Sequence, residues 1–430
     1  MRALGIELSE GIRPRHLTAY LLAALISSGY AGALAVLQPG LLATLGYATA
    51  DQAQITGLLG AVQEAVLILT MGLFGVLADR IGRRSVYAFG LAFTAIGFFA
   101  YPFATSFAQL IGYRLIIALG GAAMIGMMVT VIADYSAEKD RGKANGLQGL
   151  LATFGAFIPP ILGVMPGVFV AKGFSEIEAQ QATFGIGGAM GIVGTIIVLV
   201  GLAPHVKSAA KEIQEPIATM LRKGLQAAKD PGVALSYGAA FISRGDLAVT
   251  GAFMGLWFVQ FGTQNLGMAP SQAMQELAVP RVLTTVTGAM IGAILMGVIA
   301  DRIRRSTAVM IAAGLASCVY LSVGFVDDPT APWVFGLLAV MGVAEISAFV
   351  SSQALVGQQA PEARRGAVIG FFGVAGAVGI LVGTAGGGWL FGKFGPSTPF
   401  VLFGVLNGVV CIAAFFVRRK VIKPGTNELG

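Results

Sequence analysis

Long apolar stretches bounded by charge or by Pro and Gly lie near residues 18 to 44, 54 to 78, 86 to 105, 108 to 133, 143 to 170 and 183 to 203. A second set lies near 233 to 262, 281 to 300, 307 to 326, 332 to 357, 367 to 392 and 397 to 417. Each is long enough to cross a bilayer as a helix, which takes roughly 20 mostly apolar residues. The pattern predicts an all-α membrane protein of twelve transmembrane helices, hereafter spans 1 to 12. Two breaks are narrow, one around Ser106 and one around Ser306. The first 17 residues are polar, and the run after them is too long for a cleaved signal peptide, so it reads as a retained first span. An even count of spans puts both termini on one side of the membrane.

The pattern repeats. Gly75 to Arg84, GVLADRIGRR, recurs as Gly297 to Ser306, GVIADRIRRS. Arg141, Gly142, Gly146, Gly155 and Gly163 recur, at nearly the same offset, as Arg365, Gly366, Gly370, Gly379 and Gly387. Two unrelated matches at nearly one offset imply two homologous six-helix halves. The expected organisation is an N-terminal half over 1–203, a polar connector over 204–232 and a C-terminal half with a short tail over 233–430. In the connector, Ile213, Ile217, Met220, Leu221, Leu225 and Ala228 follow helical spacing, with Lys and Arg on other faces. That predicts an amphipathic helix lying on the inner membrane surface.

Composition agrees with lipid as the solvent: 56% of residues are hydrophobic and 11% charged, whereas soluble domains carry about a quarter charged residues. The 61 glycines suit closely packed helices. Cys318 and Cys411 sit in apolar runs and His16 and His205 in polar flanks, leaving almost nothing for a zinc site, a thiol redox site or a Ser/His/Asp triad. No phosphate-binding GxxxxGK followed by Ser or Thr is present for an ATP-driven pump. No metal and no cofactor is expected. With the N-terminus inside, the inner loops and tails hold every Lys and Arg except Arg114, Arg244, Lys172, Lys393 and Arg281. Retention of positive charge on the cytoplasmic face therefore puts both termini in the cytoplasm. It also accounts for the net charge of +7 without a nucleic-acid partner. Trp257, Trp333 and Trp389 then fall toward the outer ends of their spans, as in an aromatic belt.

The loop after span 2, Gly75-Val-Leu-Ala-Asp79-Arg80-Ile-Gly82-Arg83-Arg84, resembles the loop signature of the major facilitator superfamily. In the second copy Asp301, Arg302 and Arg305 match and Arg304 replaces the Gly. The resemblance implies an inner gate in which Asp79 meets the start of a helix of the other half, near Arg365 and Gly366. The positive end of a helix suits a carboxylate there. In span 5, Gly146, Gly155, Pro159, Pro160 and Gly163 resemble the motif of the antiporter branch, with Pro159 in place of one Gly and Val164 in place of the last. Such glycines let helices approach and a Pro bends them, so the motif shapes a gate. It implies export. Arg114, Gly120 and Gly121 are similar to the family's span-4 signature, with Ile117 and Ala118 where Gln and Gly are usual. In the resembled fold spans 1, 4, 7 and 10 line a central cavity, spans 2, 5, 8 and 11 flank it, and spans 3, 6, 9 and 12 face lipid.

A charge inside a bilayer costs at least ~2.5 kcal/mol on the insertion scale, so each one asks for a function or a partner. Five lie clearly within spans: Glu64 in span 2, Arg114 in span 4, Arg244 and Asp246 in span 7, and Glu345 in span 10. Glu64, Arg244, Asp246 and Glu345 are roughly 15 to 20 Å from a span end, near the midplane, and Arg114 lies nearer the outside. Low dielectric favours a neutral carboxyl and a nearby Arg favours the charged one, so moving the Arg loads or releases a proton. Asp246, Glu345 and Glu64 are the proton-coupling candidates, the alternative for each being a fixed intramembrane ion pair. Candidate substrate contacts are Arg114, Arg244, Tyr30, Gln38, Gln63, Gln148, Trp257, Gln353 and Phe371, for any one of which helix packing is an equal alternative.

The expected activity is proton-coupled export of a small amphipathic or organic solute by alternating access about a midplane site. The rival within transport is a proton symporter taking up an organic anion on Arg114 and Arg244. A membrane sensor or receptor is the alternative of another class. The expected setting is a multi-pass monomer in a bacterial inner membrane, with a small molecule, protons and lipid as its partners.

Overall fold

The computed structural model describes residues 2–204, 217–361 and 364–418, and it is helical almost throughout. The helices are α1 (Pro14–Thr44), α2 (Thr49–Ile81), α3 (Arg83–Ala100), α4 (Phe107–Tyr135), α5 (Arg141–Gly155), α6 (Ile158–Val170) and α7 (Glu176–Gly201). They continue as α8 (Ile217–Ala227), α9 (Pro231–Asn265), α10 (Pro270–Ala273), α11 (Val279–Arg302), α12 (Arg305–Ser322), α13 (Pro332–Gln359), α14 (Arg365–Phe394) and α15 (Thr398–Val417). Among the described residues, eleven helical segments are long and apolar enough to cross a membrane. The twelfth is α9, 35 residues long, whose hydropathy is lowered by Arg244 and Asp246 near its middle.

The helices outrun their apolar cores, because lipid sets the apolar length whereas capping sets the helix end. Span 6, apolar from 183, begins as a helix at Glu176, where the Ser175 hydroxyl accepts from the Glu178 N–H and Glu178 answers on the Ser175 N–H. The narrow break at Ser106 is real, since Ser106 caps α4 by accepting from the Gln109 N–H. The second narrow break falls two residues earlier than its sequence position, at Arg304, and Ser306 is buried inside α12. Before α11 a π-helical stretch, Met274–Ala278, precedes Pro280, whose missing N–H disturbs the regular ladder.

Residues read as a polar flank form a small folded element. Arg2–Ala3 pairs with Ile6–Glu7 as an antiparallel hairpin across Leu4 and Gly5, both at positive φ. Leu8 bridges to Ser136, the Ala137 N–H donates to the Glu7 carbonyl at 2.8 Å, and the Glu7 N–H donates to Asp140 Oδ2 at 2.9 Å. Ile6, Leu8 and Ile12 are buried beneath it. The hairpin thus fastens the end of α4 to the start of α5.

The chain divides into two compact units, one of Met1–Ala48, Val62–Glu212 and Gly262–Val279, the other of Thr49–Ala61, Ile213–Phe261 and Pro280–Gly430. In the second unit the first turns of α2 pack on α9 and α14. Gln260 Nε2 donates to the Thr49 carbonyl at 3.0 Å and to Gln52 Oε1 at 3.2 Å, and Gly57 lies against the backbone of Thr384 and Gly388. Of the apolar positions predicted for the connector helix, Ile213 and the side chains of Ile217 and Met220 lie outside what the structure describes. What is described of α8 docks on protein: Gly224 sits on Phe371 and Ala367, its carbonyl accepts from the Tyr237 hydroxyl at 3.0 Å, and Ala227 and Ala228 join a cluster with Val233, Tyr237 and Val368.

The two repeat loops turn differently. Gly82, between α2 and α3, has φ 93° and ψ 145°, a region that side chains resist, whereas Arg304 turns at φ −60° and ψ 134°. The Gly-to-Arg departure in the second copy follows from that geometry. Gly82→Ala is therefore expected to destabilise by about 1–3 kcal/mol, and Arg304→Gly to change stability by less than about 1 kcal/mol, as read by thermal unfolding in detergent. Equal losses in both would mean the backbone difference is not what sets the residue.

Candidate functional site

The second unit encloses a cluster of polar side chains in an apolar bundle. Asp246, fully buried near the middle of α9, accepts from Asn407 Nδ2 of α15 at 3.1 Å on Oδ2 and from the Leu247 N–H at 2.7 Å on Oδ1. Glu345, near the middle of α13 and also buried, accepts from the Tyr320 hydroxyl of α12 at 3.1 Å on Oε2. Tyr320 shares a second hydrogen bond, 2.7 Å long, with Thr250, one helical turn beyond Asp246. Trp257 and Phe400 pack beside it, the Trp257–Phe400 centroids 6.1 Å apart and the Tyr320–Phe400 centroids 6.3 Å apart. Among the described residues neither carboxylate belongs to an ion pair. Taking a carboxylate out of water costs several kcal/mol when no cation compensates it, so the neutral donors around each one are its compensation here.

Arg244, two residues before Asp246, points elsewhere. Its guanidinium carbon stands 5.7 Å from the ring centroids of both Phe349 and Phe372, and Gly376 of α14 makes room for the side chain. A separation of two residues on a helix already predicts different faces.

In the first unit the embedded cation is Arg114, buried on α4. Its Nη1 donates to Gln38 Oε1 at 3.2 Å, and the Tyr101 hydroxyl donates to the same oxygen at 2.9 Å. Tyr101 stacks on Phe184, centroids 5.7 Å apart. The structure so joins two sequence-selected residues, Arg114 and Gln38, and adds Tyr101. No acidic group accompanies Arg114 among the described residues.

Other selected residues are dispersed. Tyr30 is engaged inside its own bundle, its hydroxyl donating to the Gly187 carbonyl at 2.5 Å and its ring edge-on to Phe98 at 4.9 Å. Glu64 and Gln63 are half-buried on α2, Gln148 is half-buried on α5, and Gln353 is exposed on α13. Phe371 lies under the connector helix, against Gly224 and 4.8 Å from the Tyr237 ring.

The gating motifs build tight local structures. Arg83 donates to Asp79 Oδ1 at 2.9 Å and to Asp134 Oδ2 of α4 at 2.6 Å, linking the ends of α2, α3 and α4. Arg305 repeats the first bond on Asp301 at 2.9 Å and also donates to the Ala300 carbonyl. Gly75 and Gly82 are half-buried, whereas Arg80 and Arg302 are exposed. Span 5 breaks between α5 and α6, and Pro159 and Pro160, unable to donate, open the second piece. A Cβ on Gly155 would stand 2.6 Å from Ser28 Cβ and 2.8 Å from the Leu25 carbonyl oxygen, so α5 meets α1 backbone to backbone. Gly163 instead fits against the side-chain methyls of Val36 and Val279, whereas Gly146 is exposed. The repeat equivalent of Gly155, Gly379, makes the same approach from α14 to Phe241 of α9.

Four side chains of these clusters escaped the sequence reading: Thr250, Tyr320, Asn407 and Tyr101. Tyr320 and Asn407 are on spans 9 and 12, which the resemblance assigns to lipid. Asn407 has a legible signal, a lone carboxamide in an otherwise apolar helix.

Long apolar helices in two repeats, with ionisable clusters near mid-helix, define a membrane transporter. The sequence profile of the Major Facilitator Superfamily matches residues 18–274 and 237–429, so the chain belongs to that family. It is a secondary transporter rather than an enzyme. It is 24% identical to "Magnetosome protein MamH" of Paramagnetospirillum magneticum, over 85% of this chain and 84% of that one. It is 26% identical to "Magnetosome protein MamZ" of Magnetospirillum gryphiswaldense, over 88% of this chain but only 58% of that longer protein. In structure it resembles the nucleoside transporter NupG, with a TM-score of 0.71 at 17% identity, covering 95% of this chain and 100% of that one, a likeness of fold.

Proposed function

We propose that the chain couples the movement of a small organic solute to protons, in the direction of export, with Asp246 and Glu345 as the proton site. The observation that carries this is the pair of buried, unneutralised carboxyls at mid-helix, bound by neutral donors alone. Two carboxylates sharing a low-dielectric site do not both ionise readily, so the pair retains a proton until its surroundings change. Alternating access supplies such a change. Asp79, held by Arg83 and through it by Asp134, serves as the inner latch, and the glycine approaches of α5 to α1 and of α14 to α9 hold each half together as it moves. Export rests on the span-5 motif. Both termini are placed in the cytoplasm by the Lys and Arg distribution. The bacterial inner membrane is the first place to look for the protein. A magnetosome is the second, given MamH and MamZ, and cell fractionation decides.

One observation favours a second reading, uptake of an organic anion with protons. Arg114 is a buried cation that donates to a carboxamide and whose Nε has no hydrogen-bond partner, a donor that a substrate carboxylate or phosphate would satisfy. Both readings meet the same experiment: purified protein in liposomes with a trapped pH-sensitive dye, screened with amphipathic cations and organic anions under an imposed proton gradient. Solute-dependent proton movement is expected, opposite to the solute for export and with it for uptake. Solute transport without proton movement would overturn the coupling.

A further inference from the structure

The two carboxyls of this proton site have surroundings that differ in kind. Asp246 meets groups that only donate, the Asn407 amide and the Leu247 N–H. The amide cannot turn its oxygen to Asp246, because its nitrogen also donates to the Phe403 carbonyl at 3.0 Å. An O–H on Asp246 would therefore find no acceptor among these partners. Glu345 instead meets a chain of hydroxyls, each able to donate or accept: Tyr320 at 3.1 Å and, 2.7 Å beyond it, Thr250. With Glu345 ionised, Thr250 donates to Tyr320 and Tyr320 to Glu345. With Glu345 protonated, the direction reverses, Glu345 donating to Tyr320 and Tyr320 to Thr250, so both states keep the same two hydrogen bonds. The charged side chain closest in sequence, Arg244 of α9, faces Phe349 of α13 and Phe372 of α14. Among the described residues, the groups of α12 and α15 that hydrogen-bond these carboxyls are Tyr320 and Asn407.

We propose that Glu345 alone takes up and releases the proton, that Asp246 keeps one protonation state throughout, and that Tyr320 and Thr250 are the positioning residues that accommodate both states of Glu345. The inference rests on the proton-site reading and goes beyond it by dividing the labour of the pair. Only the O–H bond on Glu345 forms and breaks, the proton coming from and returning to water. Tyr320 and Thr250 redirect their own hydrogens without net loss.

Infrared difference spectroscopy of the purified protein in lipid, stepped in pH, tests this without knowledge of the solute. The wild type is expected to show a titrating carbonyl band of a protonated carboxylic acid, absent from Glu345→Gln and present in Asp246→Asn. Tyr320→Phe is expected to keep the band but move it to higher wavenumber, a signature that a merely structural tyrosine would not change. If Glu345→Gln does not fold, wild-type protein carrying carboxyl-13C Glu is expected to shift the band, and carboxyl-13C Asp to leave it in place. A band lost in Asp246→Asn, or shifted by labelled Asp, would overturn the division of labour while leaving the proton site standing. An unmoved band in Tyr320→Phe would overturn the hydroxyl relay. No titrating band in the wild type would remove the proton-site reading itself.

Discussion

Glu345→Gln is expected to make the protein more stable and to uncouple it at once. Gln has the shape of Glu and still accepts from Tyr320 at the position where Oε2 now does, at 3.1 Å. It carries no charge for the bundle to bury, and replacing buried ionisable groups by neutral ones of equal volume is often stabilising. A gain of about 1–3 kcal/mol at pH 8 is expected. The sign with pH follows from the proton. Rising pH draws the proton from the wild-type site and leaves charge in the apolar bundle, whereas Gln has none to lose, so the advantage of the variant grows with pH and fades in acid. Accumulation of solute against its gradient is expected to vanish, while exchange of labelled for unlabelled solute persists, since exchange needs no net proton movement. Thermal unfolding across pH, run beside counterflow in liposomes, measures both. A variant that is less stable than wild type yet still concentrates solute would dismiss Glu345 as the coupling residue.

The second large effect concerns packing. Gly379 of α14 lies so close to α9 that a Cβ there would overlap the Phe241 carbonyl oxygen and stand 2.8 Å from the Phe241 carbonyl carbon. Those are backbone atoms, which cannot swing aside as a rotamer does. Gly379→Val is therefore expected to cost at least ~3 kcal/mol and to abolish recovery of monodisperse protein. Gly373, on the same helix, has open space where its Cβ would go, and Gly373→Ala is expected to be neutral or to stabilise by up to about 1 kcal/mol. Detergent-extracted yield and fluorescence-detected size exclusion report both. Comparable behaviour of the two variants would show that helix propensity, rather than the crossing, governs this seam.

Family membership was legible in the sequence because its determinants are local. Apolar length, the loop signature and its second copy need no coordinates, and each survived in the helices observed. Gly82 and Arg304 show the limit even there. The aligned positions differ in residue type, and only the φ values, 93° against −60°, reveal that the two turns are built differently. The first 17 residues exceed it: short, alternating and half polar, residues 2–8 carry no spanning signal, yet they form a hairpin because residues Tyr135 to Asp140 offer partners.

For the candidate site, the sequence by itself determined which residues are expensive in lipid, Glu64, Arg114, Arg244, Asp246 and Glu345, because the price of an embedded charge depends on residue type and span alone. Tertiary structure decided what each one touches. It turned Arg244 to Phe349 and Phe372, gave Asp246 to Asn407 and Glu345 to Tyr320, and brought Gln38 to Arg114. Those pairings join residues up to 161 positions apart along the chain. A hydrogen bond forms only within about 3 Å and in the right direction. Helix rotation and packing set both, and one chain's residue types do not.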